Sequence, residues 1–503
     1  MKFIKSVSNI TNLVFVIVFT LLFIDPLTLG DPQIRACYED DFYYYLKTAI
    51  NFIELGFPTF DGEIATNGYH PLWFLIITGF VAAFGKGKLF FVAMNIFVLL
   101  LNVASLVLLR KLLSLVLDNK YYIELIVVIC IYKLVNVSIT GMEVVATVPI
   151  ILYLMYYFQK NYDKLNYFIL ALLLSLMILS RLDTMLLSLF FIILLIKQKK
   201  IDSKGLLPFA LGLLPVALYI LSNKIFFDTL LPVSGMAKQI RYSYYPSFEA
   251  LKLMFLGNIN AIFLHLLPTL LVPILLFKKD VFSKIKLKQE LVLSLTLFTL
   301  VYFPLLSIIS GWRFFNWYFY PFIFLLMILL VLLDSIPTFK SFASKFQRII
   351  YSLALIYVSV WTVNFKFVRS YDGFPFYAEI EELAKFVNAH PGKYSMGDRA
   401  GLLGYLSNSP IFQLEGLVED KAYLENIKNT VSLREVFAKY KIDYYISYNL
   451  EIDKKSGKYL AIEPIEGYEF GNRFMTTPLD YKLELKFKKK DTYYVYNLNK
   501  AIN

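Results

Sequence analysis

Apolar runs of the length a bilayer demands recur along the first 365 residues, separated by short polar loops. A hydrocarbon core of about 30 Å takes roughly 20 residues of helix. Runs that meet or approach this ruler fall at 10–29, 88–109, 121–139, 143–158, 165–180, 184–196, 205–222, 259–277, 290–309, 317–333 and 349–363. The pattern predicts a membrane all-α polytopic bundle of about 11 transmembrane helices. The run PLWFLIITGFVAAF (71–84) is too short for a comfortable crossing, so it is expected as a re-entrant or interfacial helix that begins and ends on the outer side. Beyond residue 366 the pattern changes to mixed polar sequence, in which helical YAEIEELAKFVNAH (377–390) and SLREVFAKYKI (432–442) alternate with strand-like YYISY (444–448), YKLELKF (481–487) and YYVYNL (493–498). The expected division is therefore a transmembrane domain over 1–365, with a long first outer loop at 30–87, and a soluble α/β domain over 366–503.

Composition excludes a soluble globule, because 58% of the residues are hydrophobic. The net charge of +12 raises the question of nucleic acid, but the basic residues lie in short clusters between apolar runs, the pattern of cytoplasmic loops. No nucleic-acid partner is expected. With 71–84 held on one side, the clusters Arg110, Lys111 and Lys120; Lys160 and Lys164; Lys197, Lys199, Lys200 and Lys204; Lys278, Lys279, Lys284, Lys286 and Lys288; and Lys340, Lys345 and Arg348 all fall in the cytoplasm. A crossing at 71–84 would move every one of them outside. The opening segment competes with a cleaved signal peptide, but no small-x-small site follows it. It is taken as a retained helix, with Lys2 and Lys5 keeping the N-terminus cytoplasmic and the chain integral to the cytoplasmic membrane. Cys37 and Cys130 provide neither a disulfide framework nor a zinc cluster.

The same charge topology gathers the unusual loops on the outer face, together with the C-terminal domain. EDDFYYYLK (39–47) places Asp40 and Asp41 at the start of an amphipathic helix, where carboxylates either cap the helix or, shielded at the membrane surface, serve as a general base. One carboxylate is sufficient to take a proton from an acceptor hydroxyl; the second then orients it or binds a divalent cation (Mg, Mn or Ca) through oxygen. No other cofactor is implied. Arg181, in the turn SRLDT, either neutralises Asp183 locally or turns its guanidinium fork to a lipid phosphate, and Lys238 and Arg313 are candidates for the same phosphate. Trp312, Trp317, Tyr318 and Tyr320 form an interfacial belt or a platform for a sugar ring or isoprene units. Asn67, Tyr69 and His70 of TNGYHPLW stand beside them, with His70 either a turn residue or a phosphate or metal contact. Lys133 and His265 fall within apolar runs and should face the bundle interior or snorkel.

The order of these elements (an acidic pair with FYYL after the first helix, then TNGYHPLW, a Gly-Met-Glu turn, an Arg-x-Asp turn, LPVSGMAK and an Arg followed by WYFYP) resembles the GT-C superfamily of polyprenyl-phosphate-sugar-dependent glycosyltransferases. Within it the chain is similar to the prokaryotic branch that includes terminal arabinofuranosyltransferases, alongside protein-mannosyltransferase-like and lipid A aminoarabinose transferases. The likeness extends to MGDRAGLLGYLSNSPIFQLEGLV (396–418). It implies inverting transfer of a hexosyl or pentosyl group from a polyprenyl-phosphate donor to a hydroxyl of a cell-surface glycan, lipid or protein at the outer face of the bilayer. It also implies catalysis at Asp40 or Asp41. Asn67, Tyr69, His70, Arg181, Lys238, Arg313, Trp317 and Tyr318 would then serve the donor, and Asp398 and Arg399 the acceptor. The rival readings are a transporter or flippase of lipid-linked sugars, which would need polar groups near the membrane midplane, and a noncatalytic scaffold.

Overall fold

The computed structural model describes residues 2–24, 38–138, 141–372, 374–448, 450–452, 457–465 and 471–501. Cys37 lies outside these residues. Among the described residues six helices are long and apolar enough to cross a membrane: Lys88–Ser114, Leu206–Phe227, Ile259–Phe277, Gln289–Ile309, Asn316–Asp334 and Pro337–Phe365. Shorter apolar helices accompany them at Val7–Phe23, Pro71–Phe84, Val144–Lys160, Tyr167–Ser180 and Thr184–Lys197. Their exposed residues are not scattered. In helix Leu206–Phe227 the exposed positions Leu207, Leu211, Leu214, Leu218, Leu221 and Ile225 recur every three or four residues, and Ile349, Leu353, Ile356, Val360 and Val363 do so in helix Pro337–Asp372. Apolar stripes of this kind have no place in water and every reason to be in lipid. The protein is an integral membrane protein.

Two expected spans differ in a physically informative way. The run 349–363 is only the middle of a 36-residue helix, Pro337–Asp372, so Lys340, Lys345 and Arg348 lie on its first turns rather than in a loop. The run 121–139 forms helix Lys120–Ser138, but it carries buried Glu124 and Lys133. Glu124 is compensated by Arg110 at 2.8 Å and by the Ser8 hydroxyl at 2.9 Å.

The C-terminal region carries a five-stranded sheet in the order β2-β1-β3-β8-β7. Here β1 is Tyr394–Met396, β2 Ile411–Gln413, β3 Tyr444–Tyr448, β7 Tyr481–Lys488 and β8 Thr492–Ala501. Strand β1 runs parallel to β2 and β3, with Ser395 opposite Phe412 and Tyr445, while β8 is antiparallel to both β3 and β7. Charged Lys482, Glu484, Lys486 and Lys488 occupy the edge strand β7, where they discourage further strand pairing. A second sheet joins β4 (Glu451–Ile452), β5 (Tyr459–Glu463) and β6 (Met475–Pro478).

This region is packed onto the long first loop. Helix Asp40–Leu55 stops at Gly56, whose φ of 84° is the left-handed conformation that ends helices. Its Asp40 does not cap its own helix. Its two oxygens accept the N–H groups of Gly401 (2.9 Å) and Leu402 (2.8 Å), so that Asp40 caps the N-terminus of helix Ala400–Leu406 from a distance of 361 residues in sequence. A Cβ at Gly401 would stand 2.3 Å from the Asp40 carbonyl oxygen, and one at Gly68 would stand 1.9 Å from that of Leu417. Both glycines let two backbones touch. The Thr66 hydroxyl to Glu419 O (2.8 Å) and Lys393 Nζ to Glu63 (2.6 Å) extend the seam. Gly401→Ala is expected to force the two backbones apart and destabilise the protein by about 1–3 kcal/mol, read as a lowered melting temperature of the purified protein. An unchanged melting temperature would mean that the seam does not support the fold.

Candidate active site

Seven short segments meet at the end of the bundle where the C-terminal region docks, and they enclose a small cavity of about 60 Å³. Asp41, Tyr44 and Tyr45 reach it from the start of helix Asp40–Leu55, Gly68 and His70 from the loop that follows, and Glu143 and Arg181 from two turns between helices. Ser234 and Lys238 come from the short helix Val233–Ala237 and its C-terminal end, Trp317 and Tyr318 from the 3-10 turn Asn316–Phe319, and Leu417 and Val418 from the C-terminal region.

Its floor is an ion cluster. Arg181, only 2% exposed, donates from Nη1 to Glu143 Oε1 at 2.5 Å and from Nη2 to Asp183 Oδ2 at 2.6 Å. Asp183 also accepts the hydroxyls of Tyr302 (2.6 Å) and Tyr320 (3.2 Å), and Glu143 that of Tyr45 (3.2 Å). The rings of Tyr318 and Tyr320 lie 5.3 and 5.2 Å from the guanidinium carbon. Burial opposes the charge of Arg181, but Asp183 and Glu143 outweigh it and hold the guanidinium protonated. Burial likewise opposes ionisation of Asp183, and Arg181 reverses that, pulling its carboxyl below the usual range. His70 Nδ1 accepts the Leu182 N–H at 3.2 Å, which places the ring proton on Nε2, 3.6 Å from Glu143 Oε1. Burial pushes the His70 pKa down, so the ring is neutral.

Above this floor stand Asp41 and Lys238. Burial raises the Asp41 pKa to about 6, with Lys238 working against the shift and Asp398 with it. The Asp40 pKa rises to about 7, again through burial, with the Leu402 N–H opposing. Lys238 donates to the Tyr318 hydroxyl at 3.1 Å and lies 5.5 Å from the centre of the Trp312 ring. Burial opposes its charge, but Tyr318, Asp41 and Glu143 outweigh this and raise its pKa.

The structure brings together Asp41, His70, Arg181, Lys238, Trp317 and Tyr318 from the residues singled out in the sequence. The others lie elsewhere. Asn67 is a bracket: its Nδ2 reaches Asn223 (3.2 Å) and Thr229 (2.9 Å), and its Oδ1 accepts the Val233 N–H (3.0 Å). Tyr69 stacks on Phe74 at 4.0 Å. Arg313 is exposed and lines a different cavity. Asp398 accepts the Tyr448 hydroxyl at 2.5 Å and Arg399 pairs with Asp491 at 2.5 Å, both in the C-terminal region, yet the charge of Asp398 reaches Asp40 and Asp41. As a cation chelate the acidic pair fits poorly, because both oxygens of Asp40 accept backbone N–H groups; among the described residues no group of three or more His, Cys, Asp or Glu could hold a metal ion. Glu143 is the residue that sequence reasoning left out. Its signal was a lone carboxylate in a turn between two apolar runs.

Bundle, lipid-facing stripes and a loop cluster capped by a strand-containing region define a polytopic membrane protein with a polar site at the loop end. Among family models and curated proteins nothing matches the chain. Solved structures match its fold. ArnT from Cupriavidus metallidurans bound to undecaprenyl phosphate aligns with a TM-score of 0.54 over 88% of this chain and 93% of that one, at 10% identity. The apo state of the same protein aligns at 0.55 over 99% and 100%, at 11% identity. The chain therefore shares the overall fold of that protein.

Arg181→Ala would leave Glu143 and Asp183 buried with no cation between them. Breaking a buried ion pair from one side costs about 3–5 kcal/mol. The expected outcome is a large loss of folded protein or of melting temperature; a variant as stable as the wild type would show that Arg181 is not a structural centre.

Proposed function

We propose that the protein is an inverting glycosyltransferase that moves a sugar from a polyprenyl-phosphate donor to an acceptor hydroxyl at the outer face of the cytoplasmic membrane. The observation that carries this is the pairing of Asp41 with Lys238 in one cavity, a carboxylate and a cation brought together from segments almost 200 positions apart. Support comes from the fold, since the matching ArnT structure is bound to undecaprenyl phosphate. Fold alone does not carry function; the carboxylate and cation lining the cavity are further support for this reading.

Asp41 is the base and Asp40 is not. Asp40 has both oxygens engaged by Gly401 and Leu402, whereas Asp41 lines the cavity. Its pKa of about 6 leaves it ionised at neutral pH yet basic enough to accept a proton as the acceptor oxygen attacks. The oxygen forms a bond to the anomeric carbon from the face opposite the phosphate, the sugar–phosphate bond breaks, and its electrons leave with the phosphate. Lys238 meets that charge, with the Tyr318 hydroxyl holding the ammonium in place. His70, neutral with its proton on Nε2, offers a further donor. Arg181 acts from the floor, orienting Glu143 and Tyr318 rather than reaching for the phosphate itself. Asp398, whose charge reaches Asp41, would meet the acceptor beside the base; Arg399 holds its segment through Asp491 and Tyr493.

The test is transfer of labelled sugar from a panel of polyprenyl-phosphate sugars in membranes. Asp41→Asn is expected to lose at least about a hundredfold in rate. Asp40→Asn is expected to lower stability by about 1–3 kcal/mol while the folded fraction still transfers. Full transfer by Asp41→Asn would refute the base assignment; lipid crossing the bilayer with no donor consumed would favour a transporter. The wild-type rate should also fall as pH drops below about 6. The base works as the carboxylate, and its raised pKa brings protonation into that range, so kcat/KM is expected to decline about tenfold per pH unit there. A flat profile from pH 7 to pH 5 would exclude Asp41 as the titrating base.

A further inference from the structure

The 3-10 turn Asn316–Phe319 separates two cavities that share no residue. Trp317 and Tyr318 line the one with Asp41 and Lys238. Asn316 and Phe319 line the other, which is larger, roughly 420 Å³, and chemically one-sided. Among the described residues its polar groups are Lys133, Arg313, His265, the Tyr132 hydroxyl and asparagines including Asn258 and Asn316, and no carboxylate lines it.

Lys133 is the unusual member. It is 5% exposed on an apolar helix, and among the described residues no carboxylate lies within ion-pair distance of it. Its Nζ is 2.6 Å from His265 Nε2. His265 Nδ1 faces the Met254 carbonyl at 2.8 Å. A carbonyl only accepts, so Nδ1 carries the proton and Nε2 offers its lone pair to the ammonium. The imidazole is held between the rings of Phe319 (4.9 Å) and Phe322 (4.3 Å), and it sits in a π-turn, Ile262–Leu266, that interrupts helix Ile259–Phe277. Local π geometry of this kind often marks functional positions. The turn uses one N–H of Lys133 and fixes the direction of the others. A lysine buried within an apolar helix holds its charge at least cost beside an anion, and among the described residues no carboxylate is within ion-pair distance of Lys133.

We propose that this cavity binds a phosphate-bearing anion, with Lys133 and Arg313 supplying the charge and Asn258 and Asn316 the hydrogen bonds. The rim says where the phosphate comes from. Leu253 lines the cavity and is itself exposed, and Leu256, Ile259 and Phe263 continue an exposed apolar surface away from it. A headgroup in the cavity with its chain along that surface satisfies both halves. The inference does not rest on the transfer reaction, because none of these residues belongs to the cavity that holds Asp41.

The experiment uses the purified full-length protein in phosphatidylcholine nanodiscs, with phosphatidylglycerol as the lipid probe and inorganic phosphate as the free-ion probe, read by native mass spectrometry. The wild type is expected to retain phosphatidylglycerol in preference to phosphatidylcholine, and the Lys133→Gln/Arg313→Gln variant to lose at least tenfold of that preference. Displacement of the lipid by millimolar inorganic phosphate would keep the anion site and make the free ion its ligand; resistance to displacement would keep it and make the lipid its ligand. Because Lys133→Gln risks misfolding, Arg313→Gln is measured alone as well, on protein whose melting temperature is unchanged. Wild-type protein that prefers neither probe, or variants that bind both as the wild type does, would overturn the proposal.

Discussion

The two backbone N–H groups that Gly401 and Leu402 point at the Asp40 carboxylate are the contact on which the rest of the site depends. They join the first turn of helix Asp40–Leu55 to the first turn of helix Ala400–Leu406, and each helix supplies what the other lacks. The second has orphan donors and no side chain of its own that caps them; the first has a carboxylate that its own N-terminus does not use. Charge-assisted bonds of this type are among the stronger ones a protein makes. The cost is desolvation, visible in an Asp40 pKa raised to about 7 despite two donors. The contact holds the segment around Asp398 against the loop and lets Leu417 and Val418 close the cavity wall. A neighbouring carboxylate, Asp41, is thereby left facing inward.

Charge is distributed in the cavity by commitment rather than by number. Arg181 lies between Glu143 and Asp183 with two tyrosine rings against it, an arrangement in which geometry is fixed and little charge remains for a ligand. Lys238 is held by a hydroxyl and aromatic faces, which neutralise nothing. An ammonium fixed in that way keeps its charge available to an incoming phosphate. The same logic separates the acids: Asp40 is engaged, Asp183 is paired, and Asp41 is open.

Much of this was legible in the sequence, and the parts that were not share a cause. Hydropathy placed most of the helices to within a few residues, because lipid imposes a length that local sequence must meet; the strand Tyr444–Tyr448 was visible through its aromatic run and Tyr481–Lys488 through its alternation of apolar and charged residues. The acidic loop and the 180–184 turn stood out because charges between apolar runs are rare. Direction was not legible. Nothing local distinguishes Asp40 from Asp41; what separates them is a helix N-terminus 361 residues downstream. Arg181 was equally suited to a phosphate or to Asp183, and Glu143, from another turn, decided it. Asn67 and Tyr69 shared a motif with His70 but were drawn into packing by Asn223, Thr229 and Phe74. The helix Pro337–Asp372 outran its apolar middle because a hydropathy ruler stops at polar residues through which a helix can continue.

The segment SGWRFFNWYFYP shows how one short stretch serves two chemistries. In a 3-10 turn residues three apart eclipse, so Asn316 and Phe319 fall on one side and Trp317 and Tyr320 on another, with Tyr318 between. The first side packs on His265 and closes the basic cavity; the second meets Arg181 and Asp183 and closes the acidic one. An α-helical turn would have spread these five residues over 100° steps and brought Asn316 toward Tyr320. The tighter winding keeps the two cavities chemically apart, with aromatic rings as the partition. Pro321 then starts the helix Pro321–Asp334 at its first position, where a missing N–H is harmless, and so sets where the tight turn must end.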